Sequence, residues 1–393
     1  MFIPNRLLFL FAVSAALLAV PAAAQAGIGV IVDRGRATPA RAPYVHVFDP
    51  GSMQVTGSVA LPLAAFAQVF DVEITPDLGT AFVGDFLGNS IWVVDLTTNP
   101  PSLATGINPI PITGPFPQDL VLTPNGRFLL AATGNNLPSQ QGTGSGLSVV
   151  DVASRTQVEY VDFSPNSPTA VEAGPDGSIL VAELVVSQPS YGESNVRRFK
   201  IDAQGQLTDT GDVAGIAVLP GVQNLLVPSF PFLPPIANAH ISRQTVHVAR
   251  PAGQVAGSLR TAGLSLSETV PLANPTGIDL CFDPWRAMLF VRTNELGVSG
   301  AAGVGNSRID GFFFHPVTGQ WSQPVVTIAL ERRAGTAFGV EQTAVDPVTR
   351  RLFVSGLANG EVRVFDSVLG TQVATITHPD FLWGVGINVR RRW

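Results

Sequence analysis

The chain has 393 residues, a net charge of −6 and only 13% charged residues. Mild acidity without a dense cationic stretch excludes a nucleic-acid binder. A single cysteine, Cys281 in the apolar setting "GIDLCFDP", excludes an internal disulfide and any multi-cysteine metal centre and reads as a buried, inert thiol.

At the N-terminus, Arg6 precedes an unbroken apolar run from Leu7 to Val20, followed by the small residues of "PAAAQAG". This pattern is that of a secretory signal peptide over residues 1–26, cleaved after Ala26, and the run is too short to span a bilayer. No later stretch is apolar enough for a spanning helix. The remainder, 27–393, is expected to be one domain, exported to the periplasm or secreted. The style of the leader and a lone lysine, Lys200, against many arginines suit a GC-rich bacterial genome. Gly (39) and Pro (32) are spread along the whole chain and no long amphipathic helix pattern occurs, so an all-β protein of short strands is predicted.

After three N-terminal strands ("IGVIVDRG", "YVHVFDP", "QVTGSVAL"), a unit begins at Asp71 and repeats. "DVEITPDLGTAFV" leads to a third strand ending at Asp95. "DLVLTPNGRFLLAAT" leads to one ending at Asp151, and "AVEAGPDGSILVAE" to one ending at Asp202. A degenerate copy fills Asn224 to Pro251. "DLCFDPWRAMLFVRT" leads to "IDGFFFHP", and "QTAVDPVTRRLFVSG" to a strand ending at Asp366. The spacing is roughly 50 residues or a multiple of it, one four-stranded antiparallel sheet per unit. Such sheets bury their faces only by packing around an axis, which predicts a β-propeller. Six units plus the three N-terminal strands, completed by "FLWGVGINV" (Phe381 to Val389), predict seven four-stranded blades closed by both chain ends. Pro followed by Asp or Asn and then Gly, as in "TPNG" and "GPDG", suits tight hairpin turns. The third-strand carboxylates Asp95, Asp151 and Asp366 read as turn caps.

The units "ITPDLGTAFVGDFLGNSIWVVDLTT" and "VDPVTRRLFVSGLANGEVRVFDSVLGTQVATI" resemble YVTN-type seven-bladed repeats of secreted bacterial proteins. "NVRRFKIDAQGQLTDTG" and "IDGFFFHPVTGQW" resemble blades of the lactonase propellers, which include 6-phosphogluconolactonase and muconate-cyclising enzymes. The resemblance spans about residues 45 to 389. It implies a propeller and admits lactone hydrolysis, with no catalytic motif matched residue by residue.

Five residues before the turn proline, each inner strand begins with Asp71, Asp119, Ala170, Asp279 or Gln342. These positions are expected to face one channel mouth, with Glu73 and Glu172 two residues further in. Two readings stand for the ring. Asp71, Asp119 and Asp279, with Gln342 beside them, bind a small ligand or a hard cation such as Ca²⁺; or they bond backbone amides at the channel rim. Three long connections (134–146, 185–194 and 294–306) would wall this face. Phe230, Phe232 and Leu233 in "PSFPFLPPIANAH" are candidates for an apolar protein-docking patch. The five histidines show no metal-ligand spacing, no serine elbow is present, and "RRRW" at the C-terminus reads as a solvated tail.

The expectation is an exported, monomeric binding or interaction module for a small molecule or protein. One rival is a lactonase-like hydrolase using Glu73, Glu172 or Glu341 as general base, with an Arg steadying the oxyanion. An Arg or His near a channel acid would separate it from the first. The other rival is a surface protein that presents its loops to protein partners.

Overall fold

The computed structural model describes residues 27–34, 40–64, 69–134, 144–174, 176–185, 193–216, 224–226, 246–249, 255–260, 265–271, 276–294, 306–314, 320–331, 342–355, 361–381 and 384–391. The expected leader (1–26), most of the three long connections and the Phe230 segment lie outside these residues, as does Glu341. No helix among the described residues is long and apolar enough to cross a membrane.

The fold is an all-β propeller of antiparallel blades. Among the described residues six sheets have four strands. The closure blade runs, from channel to rim, Gly384–Arg391, Gly27–Asp33, Tyr44–Asp49 and Gln54–Ala60. The C-terminal strand therefore supplies the inner edge and the N-terminal strands the rest, as the sequence predicts. The other four-stranded blades start at inner strands Pro117–Leu122, Ser167–Ala173, Asn224–Leu226, Thr276–Asp283 and Thr343–Asp346. Each is named below by its first residue.

The expectation of seven four-stranded blades is corrected at the sheet that begins with Val69–Ile74. It has five strands, because Ser102–Leu103 and Ile110–Pro111 both pair with Ser90–Asp95. The intervening sequence explains this. Pro100, Pro101, Pro109 and Pro111 remove backbone donors, so no single long outer strand can form there.

The core lies between blades. In the five-stranded sheet, Val83, Trp92 and Val94 pack toward Val30, Val45 and Val47 of the closure blade. From its opposite face, Phe82, Ile91 and Val93 pack against Leu120, Leu129 and Ala131. Alternate residues thus serve opposite neighbours. This is why middle strands such as Ser90–Asp95 read as continuous apolar runs, whereas the rim strand Thr156–Asp162 has only exposed and half-buried residues.

The hairpin turns behave as read, with one local difference. Gly126 and Gly177 take the left-handed conformation at φ 70° and 75°. In "TPDLG" it is Leu78, at φ 64°, that takes it.

The C-terminal reading is also corrected. Arg390 and Arg391 belong to the closing strand and pair with Ile28 and Gly27. Arg391 is buried against Asp346 of the Thr343 blade, its Nε 3.0 Å from Asp346 Oδ1 and its second nitrogen bonded to Oδ2.

Candidate functional site

Every described member of the predicted ring that carries an acceptor spends it on the next sheet. Asp71 Oδ2 accepts the Leu120 N–H at 2.7 Å, and Asp119 Oδ2 accepts the Val171 N–H at 2.7 Å. Asp279 Oδ2 accepts both the N–H and the hydroxyl of Thr343, each at 2.5 Å. Gln342 donates to Asp71 Oδ1 at 2.7 Å and accepts the Ile387 N–H at 2.9 Å. The donating amide follows the equivalent position by one residue: Leu120 after Asp119, Val171 after Ala170, Thr343 after Gln342. Through these bonds the ring positions clasp neighbouring sheets, as in the second of the two readings. Among the described residues no group of three or more His, Cys, Asp or Glu is arranged to hold a metal ion.

The clasps crowd acids around a narrow axis. Burial raises the Asp71 carboxyl, against the bonds from Gln342 and Leu120, and Asp71 lies within hydrogen-bonding reach of Asp119. Asp119 is pushed well above the carboxylate range by burial and then by the charge of Asp71. Burial raises Glu172 to about 8, with Asp71 adding to it, and raises Asp279 to about 7 against its Thr343 bonds. Two carboxyls this close cannot both ionise easily, so the channel holds protons at neutral pH.

Glu73 is different from the clasps. Burial, then the Asp71 charge, hold its carboxyl well above the usual range, with Arg390 opposing. Asn388 Nδ2 reaches Glu73 Oε1 at 3.4 Å and Arg390 stands 3.9 Å from Oε2. Their shorter bonds go to backbone: Asn388 to Val72 O at 3.0 Å and Arg390 to Ile74 O at 2.7 Å. Glu73 is therefore loosely held, with 18% of its side chain exposed. The closing strand carries both partners, two residues apart on one face. Alternation along "GINVR" was the available signal, and reading those arginines as a tail concealed it.

Glu73 lines a cavity of about 340 Å³ with Cys281, Phe282, Pro284, Val345 and Asn388, among others. These residues occupy the later halves of the inner strands and a hairpin turn. The cavity thus lies toward the turn end of the channel, whereas the sequence placed the site at the end where the inner strands begin. Cys281 is buried, and burial raises its thiol, as expected of an inert cysteine. Glu172 is on the channel, electrostatically coupled to Glu73.

Two histidines that sequence spacing kept apart are brought together elsewhere. His46 and His378 ring centroids are 5.2 Å apart at the seam of the closure and Thr343 blades, with Phe381 edge-on to His46. His46 Nδ1 lies 2.7 Å from Ser58 Oγ, and burial lowers its pKa to about 3.

No family model matches the chain, and no curated protein sequence matches it. Solved structures do. A functionally unknown protein from Desulfotomaculum acetoxidans aligns at 19% identity and TM-score 0.67, over 92% of this chain and 98% of that one. A Bacteroides fragilis protein proposed to be a 6-phosphogluconolactonase aligns at 14% and 0.65, over 94% and 99%. The periplasmic gluconolactonase of Pseudomonas aeruginosa aligns at 14% and 0.61, over 93% and 99%. At these identities the likeness establishes the propeller fold alone.

Proposed function

We propose that the protein is an exported propeller hydrolase that opens lactone rings, with Glu73 as general base. One observation carries the reading: Glu73, raised and loosely held, faces a cavity with Arg390 and Asn388 beside it. An arginine within reach of a channel acid favours an enzyme over a binding module. The lactonase names of two fold neighbours, and the periplasmic location of one, agree with it and with the leader-like residues 1–26. We also count the five-stranded sheet as a seventh blade, because Asp71 receives the Gln342 clasp and passes one to Leu120.

In the proposed reaction Glu73 takes a proton from water as its oxygen attacks the lactone carbonyl carbon. Negative charge develops on the carbonyl oxygen, where Arg390 and Asn388 donate. The bond from the carbonyl carbon to the ring oxygen breaks, and the ring oxygen takes the proton back from Glu73 as a hydroxyl. The product is a hydroxy acid.

The test is lactone hydrolysis by purified protein, followed by acid release. Glu73→Gln is expected to lower kcat/KM by about 10²–10⁴-fold, and Arg390→Met by about 10²–10³-fold. The rate should climb with pH through the raised pKa of Glu73, because the base must be deprotonated. A folded protein that turns over no lactone would return the reading to a binding module. The rigid clasped channel favours that second reading, with a neutral or cationic ligand in the acid-lined cavity.

A further inference from the structure

The cavity wall also speaks to which lactone fits, an inference that rests on the hydrolase reading. Beyond Glu73, Asn388 and Thr343 the side chains that line it are apolar, among them Leu280, Phe282, Pro284, Val345 and Val389, with backbone groups supplying further polar surface. Thr343 also lines it, but its hydroxyl and amide are both committed to Asp279. A sugar lactone would bury several hydroxyls here, and the side chains of the wall offer few partners for them besides Glu73 and Asn388. A phosphorylated lactone would need a cluster of cations or amides. Arg390 beside Glu73 is a single guanidinium and not a cluster, with its Nη1 already bonded to Ile74 O. Asp71, Asp119 and Glu172 offer a dianion no positive charge and, where ionised, repel it. At about 340 Å³ the space is near the lower end of small-molecule pockets.

We infer that this site takes a neutral, alkyl-substituted lactone, with the ring carbonyl toward Arg390 and Asn388 and the alkyl chain against the Phe282–Val345–Val389 wall. Each methylene buried there is expected to raise kcat/KM by about fourfold until the cavity is full.

The experiment compares six-membered lactones of one ring size: a series with lengthening alkyl chains, glucono-δ-lactone and its 6-phosphate. The expected order of kcat/KM is alkyl, then polyhydroxyl, then phosphorylated, with at least about 100-fold between the ends. A phosphorylated or polyhydroxyl lactone turned over as well as the alkyl series overturns the inference and leaves the hydrolase standing. If nothing is turned over, the hydrolase reading falls, and the matching lactams test the wall by themselves through the shift in Tm. Greater stabilisation by the alkyl lactam upholds the apolar assignment; equal or reversed stabilisation overturns it. Val345→Asn should flatten the gain per methylene, and Val345→Ala should move the best chain length upward. Unmoved chain-length profiles in both folded variants also overturn it.

Discussion

Asp119 and Asp95 perform the same act in opposite surroundings. Each accepts a backbone N–H, Asp119 from Val171 across a blade seam and Asp95 from Thr97 two residues on in an exposed turn. The Thr97 hydroxyl and amide pull the Asp95 carboxyl below its ordinary range. Burial and the neighbouring Asp71 push Asp119 well above it. Asp151, held by the Ser154 amide in another exposed turn, behaves like Asp95. A hydrogen bond to a carboxylate therefore does not set the sign of its shift; access to water and the nearest charges do. The rim uses aspartate as a charged cap, and the channel uses it as a clasp that carries an electrostatic cost.

A third setting should give the largest effect. Asp346 is more deeply buried than Asp119 and faces a cation, Arg391, across the seam where the two chain ends meet. Asp346→Ala leaves that guanidinium buried without its partner and is expected to destabilise by about 3–5 kcal/mol. Urea unfolding measures it. A loss no greater than that of an exposed turn aspartate would mean that the seam admits water freely and that burial is not what distinguishes the two regions.

The direct comparison comes next. Asp119→Ala strands the Val171 N–H away from water, for about 1–3 kcal/mol. Asp95→Ala exposes the Thr97 amide to solvent and should cost less than about 1 kcal/mol. Asp119→Asn keeps an acceptor without the charge, so it should recover most of the loss. If Asn is as damaging as Ala, the charge itself holds the clasp and the account of the channel is wrong.

How much of this was legible in the sequence follows the range of each interaction. Turn caps such as Asp95 and Asp151 bond residues two or three positions away, so local spelling revealed them. The ring positions Asp71, Asp119, Asp279 and Gln342 were legible because a fixed offset from the turn proline survives in each repeat. Their partners were open to two readings, since Leu120, Val171 and Thr343 belong to the next sheet and only its register brings the amide forward. Arg390 was missed for the same reason. Its place beside Glu73 depends on how the last strand pairs with the first, and composition argued for a tail. The fifth strand at Ile110–Pro111 escaped because the repeat predicts one outer strand, and the prolines that split it act through the donors they lack.

The two regions should also separate by pH. The folded pKa of Glu172, about 8, exceeds its ordinary 4.5. Its contribution to stability is thus fully present below about pH 4.5 and is lost as pH rises through about 8. Asp95 has the opposite sign: its folded pKa lies below 3.8, so its contribution is present above that value and fades as pH falls through the lowered one. Glu172→Gln should therefore flatten the decline in stability between pH 5 and 8, leaving the variant more stable than the parent at pH 8 by up to about 4 kcal/mol. Asp95→Asn should lower stability slightly at neutral pH and leave it unchanged near pH 2. Denaturation midpoints across that range read both curves. Parallel curves for the two variants would show that channel and rim present the same medium to their carboxylates. Crossing curves would place the difference in burial, because both residues keep their size and an acceptor oxygen and lose only the charge.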